Sequence, residues 1–192
     1  MKYDIVIAGV GGQGIIAVAT IIAKAAMLDG FYIRQSEIHG MSQRGGNVSA
    51  YVRIGSEPIA SDMIPVGTAD MILSMEPLES LRYLNLLAKN GVLVTANEPV
   101  KNISDYPEVE KIYTEIKSLP NSRMVDINEL AKKAGTLKSG NMVLIGAASS
   151  YFPIKLESLE KSIHDFFIRK GEAVVATNLK ALQIGRLNNY KL

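Results

Sequence analysis

The apolar positions of this chain come in two rhythms. In the first half they bunch into short β-branched runs, and in the last third they recur at helical spacing. Tyr3 to Ala8 alternates poorly and is rich in Ile and Val, as expected of a strand buried on both faces of a parallel sheet. It leads into Gly9-Val10-Gly11-Gly12-Gln13-Gly14. Ile15 to Ala23 then mixes helix formers with apolar residues, long enough for several buried turns. Asp29-Gly30 closes that helix, and Phe31 to Gln35 reads as a second strand. Asn47 to Ile54 alternates, Val48, Ala50, Val52 and Ile54 against Ser49, Tyr51 and Arg53, which predicts a strand with one wetter face. Gly55 to Pro58 turns the chain, Ser61 to Gly67 is a loop, and Ala69 to Met75 is an apolar strand.

Glu76-Pro77 opens a helix, with proline in the first turn where its missing N–H costs nothing. Leu78, Leu81, Leu84 and Leu87 or Ala88 give that helix a buried stripe; Asn90-Gly91 ends it before a core strand, Val92 to Ala96. Glu98 to Arg123 is the most polar region and holds Pro99, Pro107 and Pro120. It reads as a peripheral excursion with a short strand near Ile112 to Ile116. Met124 to Ile127 reads as a strand, and Asn128 as the cap of a helix reaching about Ala134. After a loop at Thr136 to Gly140, three helical segments follow: a buried one over Asn141 to Tyr151, an amphipathic one over Lys155 to Arg169, and a last one over Glu172 to Leu187. Together these predict an α/β fold, a three-layer α/β/α Rossmann-like domain with a largely parallel sheet, spanning residues 1–192 without an internal boundary.

Composition narrows the functional classes. A net charge of +2 leaves no electrostatic footprint for nucleic acid. The absence of cysteine removes disulfides, thiol catalysis and any thiolate-ligated iron–sulfur cluster from this chain. No apolar run is long enough to span a membrane, and the first residues already read as core strand, so a cytoplasmic location is expected. The methionines at 27, 41, 63, 71, 75, 124 and 142 fall mainly in apolar stretches and read as packing. His164 reads as a surface residue beside Asp165, and Lys132, Lys133 and Lys138 as a solvated face.

Two glycine-bearing stretches carry the candidate chemistry. Gly9 to Gly14 satisfies the G-x-G-x-x-G spacing, in which pyrophosphate rests on the N-terminus of the following helix. The ribose-binding acid expected about 20 residues on is missing: Tyr32, Ile33, Arg34 and Gln35 stand there, and Arg34 is the one residue suited to a 2′-phosphate. A close-packed turn without nucleotide therefore stands beside a dinucleotide site as a reading of the motif, and Gly12 is expected to be glycine because a Cβ has no room. The second stretch, Ser36 to Gly46, sets Glu37, His39, Gln43 and Arg44 among Gly40, Gly45 and Gly46. In a parallel sheet it lies at the strands' carboxyl edge with the first turn, and Arg44 flanked by glycines suits an anion or a partner carboxylate. Loop groups satisfying one another are the alternative. Glu37 and His39 lack a third ligand at useful spacing, so no metal is assigned.

Taken together, GVGGQGI at Gly9–Ile15 and SEIHGMSQRGGNV at Ser36–Val48 resemble the gamma subunits of 2-oxoacid:ferredoxin oxidoreductases, and most closely the indolepyruvate branch. Val52-Arg53, EPLESLRYL at Glu76–Leu84, NMVLIGA at Asn141–Ala147 and NLKAL at Asn178–Leu182 extend the resemblance in order along the chain. The resemblance implies an accessory subunit, inactive alone, of an enzyme that decarboxylates a 2-oxoacid with thiamine diphosphate and coenzyme A and passes electrons to ferredoxin. Thiamine diphosphate and iron–sulfur clusters would belong to a large catalytic partner. Gly11, Gly12, Gln13, Gly14, Glu37, His39, Gln43, Arg44, Gly45 and Gly46 would face that partner or a phosphate-bearing ligand such as coenzyme A. No catalytic residue is assigned, and a homodimer is one state open to the isolated chain. A freestanding NAD(P)-binding oxidoreductase and a homo-oligomeric scaffold are the competing expectations.

Overall fold

A computed structural model describes residues 1–39 and 45–188. Among these, the strands form one six-stranded sheet in the order β2-β3-β1-β4-β5-β6, comprising β1 (Lys2–Val10), β2 (Tyr32–His39), β3 (Asn47–Gly55), β4 (Ala69–Ser74), β5 (Leu87–Ala96) and β6 (Ser122–Val125). β1, β4, β5 and β6 pair in parallel, while β3 runs antiparallel to both β1 and β2. The sheet is thus largely parallel, as expected, with β3 alone reversed. β2 and β3 form a hairpin, so β2 continues to His39 instead of ending at Gln35: the ladder pairs Ser36 to His39 with Tyr51 to Val48.

Alternation in the strands divides the core. Ile5 and Ile7 of β1 join Val48, Ala50, Val52 and Ile54 of β3 on the face covered by α1 (Ile15–Leu28), α4 (Ile127–Ala134), α5 (Gly140–Ala148), α6 (Leu156–Phe167) and α7 (Glu172–Leu187). Val6, Tyr51, Ile72 and Leu93 point the other way, toward α2 (Pro77–Leu81) and α3 (Val109–Ser118). The first face is two helices deep, because α6 packs on α1 and α7 on α5. α5 and α7 approach through a reciprocal glycine pair. A Cβ on Gly146 would stand 2.0 Å from the Leu182 carbonyl oxygen, and one on Gly185 2.0 Å from that of Val143.

Several expectations are corrected. The wetter face of β3 is buried: Tyr51 and Arg53 lie under the loop through Ser61 to Ile64, and Ser49 is also shielded from water. The helix opened by Pro77 is one short turn. A 3-10 turn (Leu84–Leu86) follows, and β5 begins at Leu87 rather than Val92. The leucine stripe is still satisfied, since Leu78, Leu81, Leu84 and Leu87 all pack on the second core. Ile112 to Ile116 is helical, not a strand: Ile112 and Ile116 are buried one turn apart while Thr114 between them is exposed. The cap of α4 is Asp126, whose carboxylate accepts from the Glu129 N–H at 2.8 Å, and not Asn128. Met27 and Met63 are exposed, against the packing expected of them, whereas Met71, Met75 and Met142 are core. No described helix is long and apolar enough to cross a membrane.

One buried ion pair ties the reversed strand to the centre. Arg53 Nε and Nη2 donate to Asp4 Oδ1 and Oδ2 at 2.9 and 3.1 Å, and both residues are shielded from water. Arg53 Nη1 also donates to the carbonyls of Ser61 and Met63, and Lys2 Nζ lies 2.9 Å from Asp4. Removing Arg53 leaves the buried Asp4 carboxylate to Lys2 alone and takes the donor from the Ser61 and Met63 carbonyls. Arg53→Met is therefore expected to lower the unfolding free energy by about 3–5 kcal/mol, measured by urea denaturation.

Candidate functional site

The carboxyl ends of β1, β4 and β5 open at one edge of the sheet, where the chain leaves β1 toward α1 on one face and β4 toward α2 on the other. Open α/β sheets hold their ligands at such a divergence. Here the crevice between β1 and β4 is spanned by protein. Gln13 Oε1 accepts from the Val10 N–H at 2.7 Å, and Gln13 Nε2 donates to the Met75 carbonyl at 3.0 Å. Gly9 lets this amide lie flat, since a Cβ there would come within 2.8 Å of Gln13 Oε1 and 2.6 Å of Ile15 Cδ1.

On the other side of the turn lies a pocket of about 350 Å³, lined by Val10, Gly11, Gly12, Gly14, Ile15, Ile16 and Val48. Gly14 takes the N-cap position of α1 with φ 81°, so no side chain caps the helix and no acid sits in its first turn. That end of α1 presents uncapped N–H groups and the positive pole of the helix dipole toward the pocket. Gly12 also has a positive φ, 104°, but nothing stands within 4 Å of where its Cβ would be. Its requirement for glycine comes from backbone conformation and not, as expected, from lack of room.

The two glycine stretches meet. Gly11 N–H donates to the Gly46 carbonyl at 2.8 Å, and Gly45 N–H reaches the Gly11 carbonyl at 3.4 Å. Gly11, Gly12, Gly14, Gly45 and Gly46 therefore share one edge, while Gln13 turns inward to β1 and Met75. Glu37 is not brought there. Its partner Ala50 faces Ile7, which puts Glu37 level with Ile7 on the edge strand, about 10 Å short of the turn along the strand direction. Its Oε1 instead accepts from Gln35 Nε2 at 3.2 Å. His39 is the last residue of β2, its backbone paired with Val48. Gln43 and Arg44 lie outside the described residues.

Sequence reasoning missed a second group at this edge. Asn102 Nδ2 donates to the Gly45 carbonyl at 2.7 Å, bringing the polar excursion onto the glycine hairpin. Glu76, 1% exposed, receives the Glu79 N–H on Oε2 at 2.7 Å, and the Val100 N–H and Tyr106 O–H on Oε1 at 3.2 and 2.5 Å. Burial first, then the Glu76 hydrogen bond and charge, hold the Tyr106 phenol well above the ordinary tyrosine range. The one legible signal was Glu76-Pro77 as a helix start, because a carboxylate at an N-cap accepts from backbone N–H. Glu79 is also buried. Desolvation raises its carboxyl above the ordinary glutamate value, against the pull of Arg82 at 3.1 Å. The G-x-G-x-x-G stretch is further from a dinucleotide site than its spacing suggests, since β3 separates β2 from β1 by a full strand.

Two outcomes follow from this geometry. Gly12→Val puts a β-branched residue at a positive φ, and is expected to cost about 1–3 kcal/mol of stability. Gly12→Asn, which tolerates positive φ better, should cost less, and thermal melts of the two compare them. For Glu79, the folded state holds its proton to higher pH than the unfolded state does. Stability from this group is therefore greatest below its ordinary value of 4.5 and is lost as pH rises through the raised folded value. Glu79→Gln should flatten that slope, so its melting temperature changes less than the wild type's above about pH 4.5.

Comparison with known proteins gives this edge its context. A family model described as pyruvate ferredoxin/flavodoxin oxidoreductase matches residues 4–187. The indolepyruvate oxidoreductase subunit IorB of Pyrococcus horikoshii is 39% identical over 194 aligned residues, covering 96% of this chain and 94% of that relative. Among solved structures, the gamma subunit of a keto/oxoacid ferredoxin oxidoreductase from Geobacter sulfurreducens superposes with a TM-score of 0.71 at 28% identity, over 97% of this chain and 98% of its own. The 2-oxoglutarate:ferredoxin oxidoreductase of Magnetococcus marinus, solved with 2-oxoglutarate, coenzyme A and succinyl-CoA bound, superposes with a TM-score of 0.78 at 25% identity. All of this chain is matched, and it spans 31% of that longer polypeptide. With a family match over nearly its whole length and a full-length relative at this identity, the chain belongs to the pyruvate ferredoxin/flavodoxin oxidoreductase family, among its small gamma-type subunits.

Proposed function

We propose that this chain, a single gamma-type domain, is the cluster-free accessory subunit of a 2-oxoacid:ferredoxin oxidoreductase acting on indolepyruvate or another aryl pyruvate. The full reaction would cleave the bond between the 2-oxoacid's carboxyl and carbonyl carbons, release CO2, join the acyl group to coenzyme A and pass two electrons to ferredoxin. The observation that carries this reading is the 39% identity to an indolepyruvate oxidoreductase subunit over almost all of both chains. With no cysteine, this chain has no thiolate to ligate a cluster, so iron–sulfur chemistry falls to a large catalytic partner, together with thiamine diphosphate.

This chain's contribution is to shape and shield. The joined turns at Gly11 and Gly46 present backbone without side chains, which lets a partner surface or a ligand approach closely. The uncapped start of α1 and the apolar pocket beside it suit a phosphate-bearing group with an apolar portion, which is the chemistry of coenzyme A. His39, Gln43, Arg44, Gly45 and Gly46, in or beside the hairpin connection, would meet the partner or that ligand, Arg44 by pairing with a carboxylate or phosphate, while Glu37, further back on the edge strand, would meet the partner alone.

Co-expression with a thiamine-diphosphate-dependent large subunit should give a complex that reduces ferredoxin with indolepyruvate, whereas this chain alone turns over nothing. Full ferredoxin reduction by the large subunit without it would overturn the reading, as would tight binding of NADH or NADPH by the isolated chain. Within the complex, Arg44→Ala is expected to lower the ferredoxin-reduction rate about tenfold, equivalent to about 1.4 kcal/mol. The unfolding free energy should move by less than about 0.5 kcal/mol, so kinetics and denaturation on the same variant separate function from folding.

A further inference from the structure

We infer that Glu76 is a positioning residue: its buried carboxylate holds residues 100–106 as a strap that fixes the glycine hairpin facing the catalytic partner. The inference rests on the accessory-subunit reading for its consequence, but its geometry stands in this chain alone. Three neutral donors converge on the Glu76 carboxylate: the Glu79 N–H from its own helix, and the Val100 N–H and Tyr106 O–H from the strap. The Glu76 backbone is itself held from behind. Ser74 Oγ donates to the Glu76 carbonyl at 2.6 Å and accepts from the Glu76 N–H at 3.2 Å, which anchors it to the end of β4.

The link from this anchor to the hairpin is short and stiff. Val100 is tied to Glu76 through its N–H, and Asn102, two residues on, is tied to the Gly45 carbonyl through its side chain. Between them the Asn102 N–H donates to the Val100 carbonyl at 2.8 Å, closing a three-residue turn. A displacement at Glu76 is thereby carried across one tight turn to Gly45, and from Gly45 and Gly46 to the Gly11 backbone. The strap is otherwise mostly polar and is flanked by Pro99 and Pro107. Glu76 fixes it at both ends, through Val100 and Tyr106, and Asn102 grips Gly45 between them. Among the described residues the buried Glu76 carboxylate receives hydrogen bonds from neutral groups only, which is expensive to maintain for packing alone. Its three directed acceptor contacts are what a positioning role requires.

Amide hydrogen exchange on the isolated chain, followed by NMR, tests the mechanical claim. Tyr106→Phe removes one tether while keeping the ring, and Asn102→Ala removes the grip on Gly45. Each should speed exchange of the Gly11 N–H about tenfold while the Met75 N–H, bonded to Ala8 of β1 at 2.9 Å, stays protected. The double variant should add nothing further, because both act through one strap. Glu76→Gln, where it folds, should match them. Within the complex, the same variants should weaken binding of this chain to the large subunit about tenfold, leaving kcat unchanged at saturating small subunit. Unchanged Gly11 exchange in Tyr106→Phe and Asn102→Ala overturns the inference. So does Met75 exchange rising in step, which would mean general loosening, and so do additive effects in the double variant. Accelerated exchange with unaltered affinity overturns the partner-facing role. If wild-type chain and large subunit form no complex, the accessory-subunit reading fails instead, and the exchange result still judges the strap.

Discussion

A reversed strand beside the centre of the sheet governs how this chain is built. β3 pairs antiparallel with β1 over nine residues, from Lys2 opposite Gly55 to Val10 opposite Asn47. This pairing forces β2 to the edge and brings the hairpin connection back to the carboxyl end of β1. Only because of it do Gly45 and Gly46 meet Gly11, and only because of it does Arg53 lie beside Asp4 in the interior. An antiparallel partner in an otherwise parallel sheet is bought with a hairpin rather than a helical crossover, so two loops that belong to different strands are delivered to one place.

Around that place the chain uses backbone more than side chains. The Gly11–Gly46 hydrogen bond joins backbone to backbone, and the Gly14 cap of α1 and the flat approach of Gln13 over Gly9 both depend on missing Cβ atoms. The side chains that matter are set one layer back. Gln13 closes the β1/β4 crevice, Glu76 gathers the strap, and Asn102 passes its constraint to Gly45. This suits a subunit that shapes a surface and leaves bond-breaking to its partner. It also separates the glycine motif here from a dinucleotide fingerprint, since the crevice a pyrophosphate would enter is occupied by an amide.

The buried charges divide the labour between holding the fold and holding the edge. Arg53 and Asp4 compensate one another as full charges and tie the loop at Ser61 to Met63 over the second face. Among the described residues Glu76 is compensated by dipoles alone, and Glu79 beside it is partly compensated by Arg82. Ions paired inside a core resist screening and lock a register. A carboxylate held by neutral donors instead orients those donors, which is the difference between a rivet and a bracket.

By itself the sequence determined the β1–glycine–α1 opening, the long C-terminal helices and the α/β class, because period-2 and period-3.6 patterns and glycine punctuation are local signals. It also carried the identity of the family, whose motifs are contiguous. What it could not show was decided by tertiary structure. Tyr51 and Arg53 read as a wet face until the irregular loop at Ser61 to Ile64 folded back over them. Ile112 and Ile116 fit both a strand and a helix until α3 found the second core. The stripe from Leu78 to Leu84 needed no continuous helix once a short turn and a 3-10 turn could bury it. Glu76, Tyr106, Asn102 and Gly45 are separated by up to 61 residues of chain and share no local pattern, so only the register of β3 and the path of the excursion bring them together. Long-range pairing is where the sequence stops speaking, since a hydrogen bond depends on positions in space that no local periodicity encodes.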